Sequence, residues 1–225
     1  MFRAFFIELC NDFMYNKSMK NWNKIYDELK LLFPDAKCEL DFFDDYSLLI
    51  SVILSAQCTD KRVNQVTKIL FQKYPTVKDL ASANESDVQE IIHSVGMYKQ
   101  KSKNLIITAN KIIDDFGGKV PNNMEDLTSL AGVGRKTANV VLAVAFNKPA
   151  IAVDTHIFRL SHRLGLSSGK NPTQVEQDLM KILPKELWND FHYLLVLFGR
   201  YHCKAIKPDC CDCKLKSICK EKKCR

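Results

Sequence analysis

Apolar residues recur along this chain at spacings of three and four, and no segment sustains the two-residue alternation of a half-buried strand. Asp60 is a good N-cap, and Val63, Val66, Ile69 and Leu70 after it line one helical face. Ser82-x-x-Glu85 reads as a capping box before Val88, Ile91, Ile92 and Val95, with Gly96 ending that helix. The pattern predicts a helix over 98–116, carrying Leu105, Ile106, Ala109, Ile112, Ile113 and Phe116 and closed by Gly117-Gly118. Asn171-Pro172 opens another, with Val175, Leu179 and Ile182 on its face and Pro184 as its stop. The predicted class is all-α, joined by short loops. Trp22, Trp188 and the phenylalanines are expected in the core, and His93, His162 and His192 fall within helical patterns and need no special role.

Size and composition narrow the picture. A chain of 225 residues with 46% hydrophobic and 26% charged residues can bury one large core or two small ones without staples. The longest uncharged run, Tyr46 to Thr59, is fourteen residues, whereas a membrane span needs about 20. Glu8 and Asp12 interrupt the apolar start, and no small-residue cleavage site follows, so an intracellular protein is expected, cytoplasmic if bacterial. Residues 1–18 fit no motif, which puts the expected working start near Met19.

Charge and cysteine are both concentrated at one end. From Arg200 onward nine Lys/Arg face Asp209, Asp212 and Glu221, a local +6 out of a total of +7. Such a field suits a polyanion, or is simply a solvated tail. Six of the nine cysteines lie between 203 and 224, which in a reducing compartment points to metal before disulfides. The spacing Cys203-x6-Cys210-x2-Cys213-x5-Cys219 can close a four-thiolate cage. It has only one of the two C-x2-C knuckles of a zinc ribbon and lacks the ferredoxin run, so spacing alone leaves the metal open. Cys211 and Cys224 are spares, and His202 beside Cys203 is not needed as a ligand.

Between Asp126 and Asn147 the chain reads DLTSLAGVGRKTANVVLAVAFN. A short helix at about 123–130 meets Gly132-Val133-Gly134, and a second helix begins near Arg135. The glycines permit a tight turn and close approach of a ligand, and the new helix offers amide N–H groups and the positive end of its dipole to a phosphate. Contacts of this kind position a strand without reading its sequence. Lys136 sits in that first turn beside Arg135, where dipole, neighbouring cation and any burial all disfavour its charged form, as an attacking amine requires. Asp154, eighteen residues downstream in Val153-Asp154-Thr155-His156, is a helix N-cap by pattern and a candidate proton acceptor. His156 is as readily structural as it is part of a site.

LAGVGRKTANVVL, AVDTHIFRL and the four-cysteine pattern, in this order, together with LLISVILSAQCTDKRVN at 48–64, resemble the endonuclease III family of helix-hairpin-helix DNA glycosylase/AP lyases. The resemblance spans about residues 22–219. It implies a two-lobed fold: a six-helix lobe at 38–148 containing the helix-hairpin-helix at 123–147, and a second lobe from 1–37 plus 149–225 that carries a 4Fe-4S cluster loop at 203–219. It implies that Lys136 is the nucleophile, Asp154 the assisting carboxylate, and Cys203, Cys210, Cys213 and Cys219 the cluster ligands. Gln57 and Met97 would fill the gap left by a flipped nucleotide, and Gly132, Val133, Gly134 and Arg135 would hold the DNA backbone. The implied partner is double-stranded DNA with damaged bases or abasic sites, engaged by a monomer, with oxidised pyrimidines the family's substrate class. Two departures are visible: Ala131 where the hairpin usually has proline, and Met97 where leucine is common. The alternatives are a monofunctional glycosylase, which typically lacks this lysine, and a non-catalytic iron–sulfur DNA-binding module. An adenine-specific enzyme would be expected to carry a further domain beyond Cys219.

Overall fold

The computed structural model describes residues 21–221, so the expectations about residues 1–18, Met19 and Cys224 lie outside it. Eleven α-helices form among the described residues, and no strand does. They are α1 (Trp22–Leu32), α2 (Asp45–Ser55), α3 (Asp60–Lys73), α4 (Val77–Ala81), α5 (Glu85–Ile92), α6 (Tyr98–Phe116), α7 (Met124–Thr128), α8 (Arg135–Val144), α9 (Thr155–Arg163), α10 (Pro172–Ile182) and α11 (Trp188–Leu197). The helices divide into two compact units, Cys38–Ala150 and a second one made of 21–37 with 151–221. The first unit holds seven helical segments, two of them only five residues long, where the resemblance implies six.

In the Cys38–Ala150 unit α2 is the centre. Every residue from Tyr46 to Leu54 is buried, as expected of a helix apolar all round that other helices must enclose. The uncharged run that is too short for a membrane is therefore a core helix. Asp44 starts it with a capping box, accepting from the Ser47 amide at 2.7 Å while its own amide donates to Ser47 Oγ at 2.9 Å. Helices α3, α6 and α8 pack on α2, and α4 and α5 pack on α6. Leu70, Leu80, Ile92, Leu105, Ile112, Leu127 and Val141 complete the core.

The other unit forms around α9 and α11, with α1 and α10 against them. Ile25 and Leu29 of α1 meet Phe191, Leu194 and Leu195 in its core. Tyr26 Oη donates to Asp190 Oδ2 at 2.6 Å, and Lys30 pairs with the same carboxylate at 3.0 Å. Helix α10 opens as the sequence predicts, with the Asn171 side chain accepting from the Gln174 amide at 3.0 Å and Pro172 at the first helical position. A π-helical turn, Phe198–His202, succeeds α11 and delivers the chain to Cys203, whose amide donates to Phe198 O at 2.7 Å.

Several local expectations are corrected. Thr59, not Asp60, caps α3, and Ile69 is exposed because the buried stripe runs through Val63, Val66, Thr67 and Leu70. The Ser82/Glu85 box does not form: Ser82 ends α4, and Asn84 caps α5 by accepting from the Ser86 amide at 3.0 Å. Asn is as good a cap as Ser and stands nearer the helix. Helix α5 stops at Ile92 rather than running to Gly96. Phe42 and Phe43 are exposed at the surface rather than in the core.

Candidate active site and nucleic-acid interface

The hairpin at 129–135 is built by main-chain bonds and one glycine whose positive φ would strain any other residue. The Val133 amide donates to Leu130 O at 3.2 Å, and the Ala138 amide to Gly134 O at 2.9 Å as α8 begins. Gly132 has φ +78°, and a Cβ there would sit 2.9 Å from the Asn104 side-chain nitrogen on α6. Thr108 Oγ1, also on α6, donates to Ala131 O at 2.9 Å and clamps the turn from beneath, supplying stiffness at the position where proline is absent. Gly134 faces open space, so a ligand backbone can approach it. Val133 is only 6% exposed and belongs to the core, so it can offer a strand its main chain but not its side chain.

Lys136 lies in the first turn of α8, exposed, with no hydrogen bond or ion pair to another described residue. Asp154 is half-buried and does cap α9, its Oδ1 accepting from the amides of His156 at 2.9 Å and Ile157 at 2.8 Å. Both cap bonds go to one oxygen. His156 packs against Gly199, where a Cβ would come within 2.7 Å of the histidine Cβ, and receives a contact from Arg159 at 3.3 Å. It is held as a structural residue of the contact between α9 and the π-helical turn.

Gln57 and Met97 share a backbone oddity. Both are exposed and both adopt positive φ, 56° and 58°, which costs a non-glycine residue about 1 kcal/mol or more. Each stands at the tip of a tight connection, Gln57 between α2 and α3 and Met97 at the start of α6.

The cysteines divide cleanly. Cys203 is buried, Cys213 and Cys219 are half-buried, and Cys211 is exposed. Arg163 Nη1 approaches Cys203 Sγ at 3.3 Å and donates to Lys204 O at 2.8 Å. Arg159 Nη2 donates to Gly199 O at 2.8 Å and Cys203 O at 3.0 Å. Burial pushes the Cys213 thiol up, the Leu215 amide bonded to it pulls the other way, and the sulfurs of Cys203 and Cys219 are near enough to add to the upward push. The Lys220 amide returns the loop to Arg163 O at 2.7 Å. Cys210 is in a disulfide, a bond that ligation would have to replace with a thiolate. Among the described residues no three Cys, His, Asp or Glu side chains converge as a single metal ion would require. The sulfurs of Cys203, Cys213 and Cys219 are near enough to interact electrostatically, and N–H donors are aimed at two of them.

The chain matches the HhH-GPD superfamily of base excision DNA repair proteins over residues 50–185. It is 49% identical to endonuclease III of Bacillus subtilis over 87% of this chain and 90% of that protein. The chain belongs to the endonuclease III family. A solved structure of a trapped endonuclease III–DNA covalent intermediate superposes with a TM-score of 0.88 at 46% identity, covering 90% of this chain and 96% of the other. A non-covalent endonuclease III–DNA complex matches at the same score and identity, with 95% of its chain covered. As a member of the endonuclease III family the chain is a base excision DNA repair enzyme. Sequence reasoning missed Lys101, Asn104, Thr108, Arg159 and Arg163, the residues that hold the tips, the hairpin and the cysteine loop. Lys101 carried a signal: it lies on the stripe of Leu105, Thr108 and Ile112, where a charge is out of place.

Proposed function

We propose that this member of the endonuclease III family, a DNA glycosylase and AP lyase, removes oxidised pyrimidines from double-stranded DNA and cuts 3′ to the resulting abasic site through Lys136. The carrying observation is the placement of Lys136: exposed, unpaired among the described residues, and in the first turn of a helix that opens from a glycine hairpin. Gly132, Val133 and Gly134 offer main chain, and Arg135 charge, to the phosphates, a grip that weakens with salt. The damaged base leaves the stack, at least cost where pairing is already poor, and Gln57 and Met97 occupy the vacancy.

Neutral Lys136 Nζ then bonds to the sugar C1′ while the N-glycosidic bond breaks; the base departs with the electron pair and takes up a proton from water, and the lysine nitrogen sheds one. Ring opening gives an imine between Lys136 and the sugar. That imine acidifies C2′–H; loss of the proton drives β-elimination, which breaks the C3′–O bond, and water releases the lysine. Asp154 is the carboxylate that assists this attack, the part a general base plays. A 4Fe-4S cluster on Cys203, Cys210, Cys213 and Cys219 would cross-link the 203–219 loop and present its basic residues to DNA. The protein acts inside the cell as a monomer on DNA; no helix among the described residues is long and apolar enough to cross a membrane.

The test is single-turnover cleavage of a duplex carrying one thymine glycol, with Lys136→Gln alongside. Wild type should release the base and cut the strand. The variant should bind but leave the strand whole, a loss of several orders of magnitude. Base release without strand cutting by the wild type would instead indicate a monofunctional glycosylase, and binding without either a recognition module.

A further inference from the structure

Lys101 is a buried lysine, 4% exposed, and the reaction above does not use it. It lies in the first turn of α6, where the helix dipole and desolvation both oppose an ammonium, and burial holds its pKa down. Its Nζ donates to Leu54 O at 2.9 Å and Ala56 O at 2.6 Å. These are carbonyls at the C-terminal end of α2, where main-chain acceptors have lost their helical partners and the dipole is negative. The ammonium therefore closes the end of the central helix.

The bond to Ala56 reaches past the helix end. The Ala56 carbonyl belongs to the peptide that leads into Gln57, so fixing that oxygen fixes the plane from which Gln57 turns into its positive-φ conformation. The main-chain amide of Lys101 donates to Met97 O at 3.0 Å, the first helical bond after the second positive-φ tip. One residue thus holds one tip through its side chain and the other through its backbone. The tips are neighbours: a Cβ on Gly96 would lie 3.7 Å from Gln57 O. Both side chains remain exposed, Met97 by 55%.

We propose that Lys101 is a positioning residue that holds Gln57 and Met97 in register, so that the two tips enter an opened duplex as one rigid wedge. This rests on the reading of Gln57 and Met97 as the gap-filling residues. The separation of the tips is set by a short hydrogen-bonded link inside the core, and neither tip relies on the other's side chain. Removing the ammonium leaves the buried Leu54 carbonyl and the part-buried Ala56 carbonyl without this donor and frees Gln57 to relax to negative φ. The chemistry at Lys136 does not pass through this link.

The experiment compares Lys101→Met and Lys101→Arg with wild type on two probes. One is a single-stranded oligonucleotide with one abasic site, which needs no base extrusion; the readout is borohydride-trapped adduct. The other is a duplex with thymine glycol opposite 2-aminopurine, whose fluorescence reports unstacking of the partner base. Lys101→Met should trap the single strand within about twofold of wild type, yet lose about 10- to 100-fold in duplex single-turnover rate at saturating DNA, together with the fluorescence rise. Lys101→Arg, which keeps charge and donors, should recover part of both. Parallel loss on both probes in either variant, or a full fluorescence rise in Lys101→Met, overturns the proposal. If wild type itself forms no adduct on the single strand, the proposed reaction is what fails, and the fluorescence comparison still judges Lys101.

Discussion

The corner formed by Gln57, Met97 and Lys101 and the loop from Cys203 to Cys219 are both irregular, exposed at their tips and held by cations donating to main-chain carbonyls. They differ in where the cation sits. At the corner one ammonium, on a lysine only 4% exposed, donates to Leu54 O and Ala56 O at the end of α2. In the cysteine loop Arg159 and Arg163 reach Gly199, Cys203 and Lys204 from the half-buried flank of α9, and the loop beyond Cys210 buries little besides Leu215. A segment of this kind has too little apolar surface to order itself and depends on cross-links. At the corner the holding cation is buried; at the loop the holding cations are half-buried, and the proposed 4Fe-4S cluster would supply the remaining order.

That contrast can be broken from either side. The largest effect is expected from Cys203→Ser in iron-loaded protein: loss of visible absorbance and loss of amide protection over 203–219 by about 100-fold or more, while amides of α6 keep theirs. Equal loss in both regions would mean that the two are not separately held. Leu105→Ala, beneath the corner at 0% exposure, should cost about 2–5 kcal/mol by denaturant unfolding, because it leaves a cavity in a packed core. Arg159→Ala removes donors from Gly199 O and Cys203 O and should cost about 1–3 kcal/mol, read as faster exchange near Cys203 with the corner unchanged. The smallest effect is on pH dependence in the unit that carries the loop. The hydrogen bond to Asp190, then burial and nearby carboxylates, push Tyr26 up from 10.0 to about 12. A folded pKa above the unfolded one means that this contribution is full below pH 10.0 and is lost as pH rises toward 12, so Tm should fall across that window. Asp190→Asn should flatten the slope, and an unchanged slope would remove Tyr26 from the account.

Much of this was legible in the sequence where one local rule acts alone. Asn171-Pro172 and Gly117-Gly118 fold as their patterns require, since caps and positive-φ glycines are decided within a few residues. Asp154 reads as a cap and is one. Legibility failed where two rules compete within a few positions, as at Ser82 and Asn84, or where a long-range contact decides, as with Ile69 and Phe43. Of the candidate site, Lys136 and the glycines announce themselves by type and spacing. The exclusion of the Val133 side chain and the clamp of Thr108 on Ala131 are set by α6, distant in sequence and invisible to local pattern. The positive φ at Gln57 and Met97 has no compositional signature either, because neither is glycine or asparagine; a lysine on an apolar stripe was the only hint that something there needed holding.

The central claim is that Lys136 makes the covalent bond to the sugar. Its most direct test is to reduce the wild-type protein with borohydride on thymine-glycol duplex, digest the adduct and locate the sugar remnant by tandem mass spectrometry. The account predicts the remnant on Lys136. A remnant on any other amine, the buried Lys101 included, or strand cleavage with no trapped adduct, would contradict it.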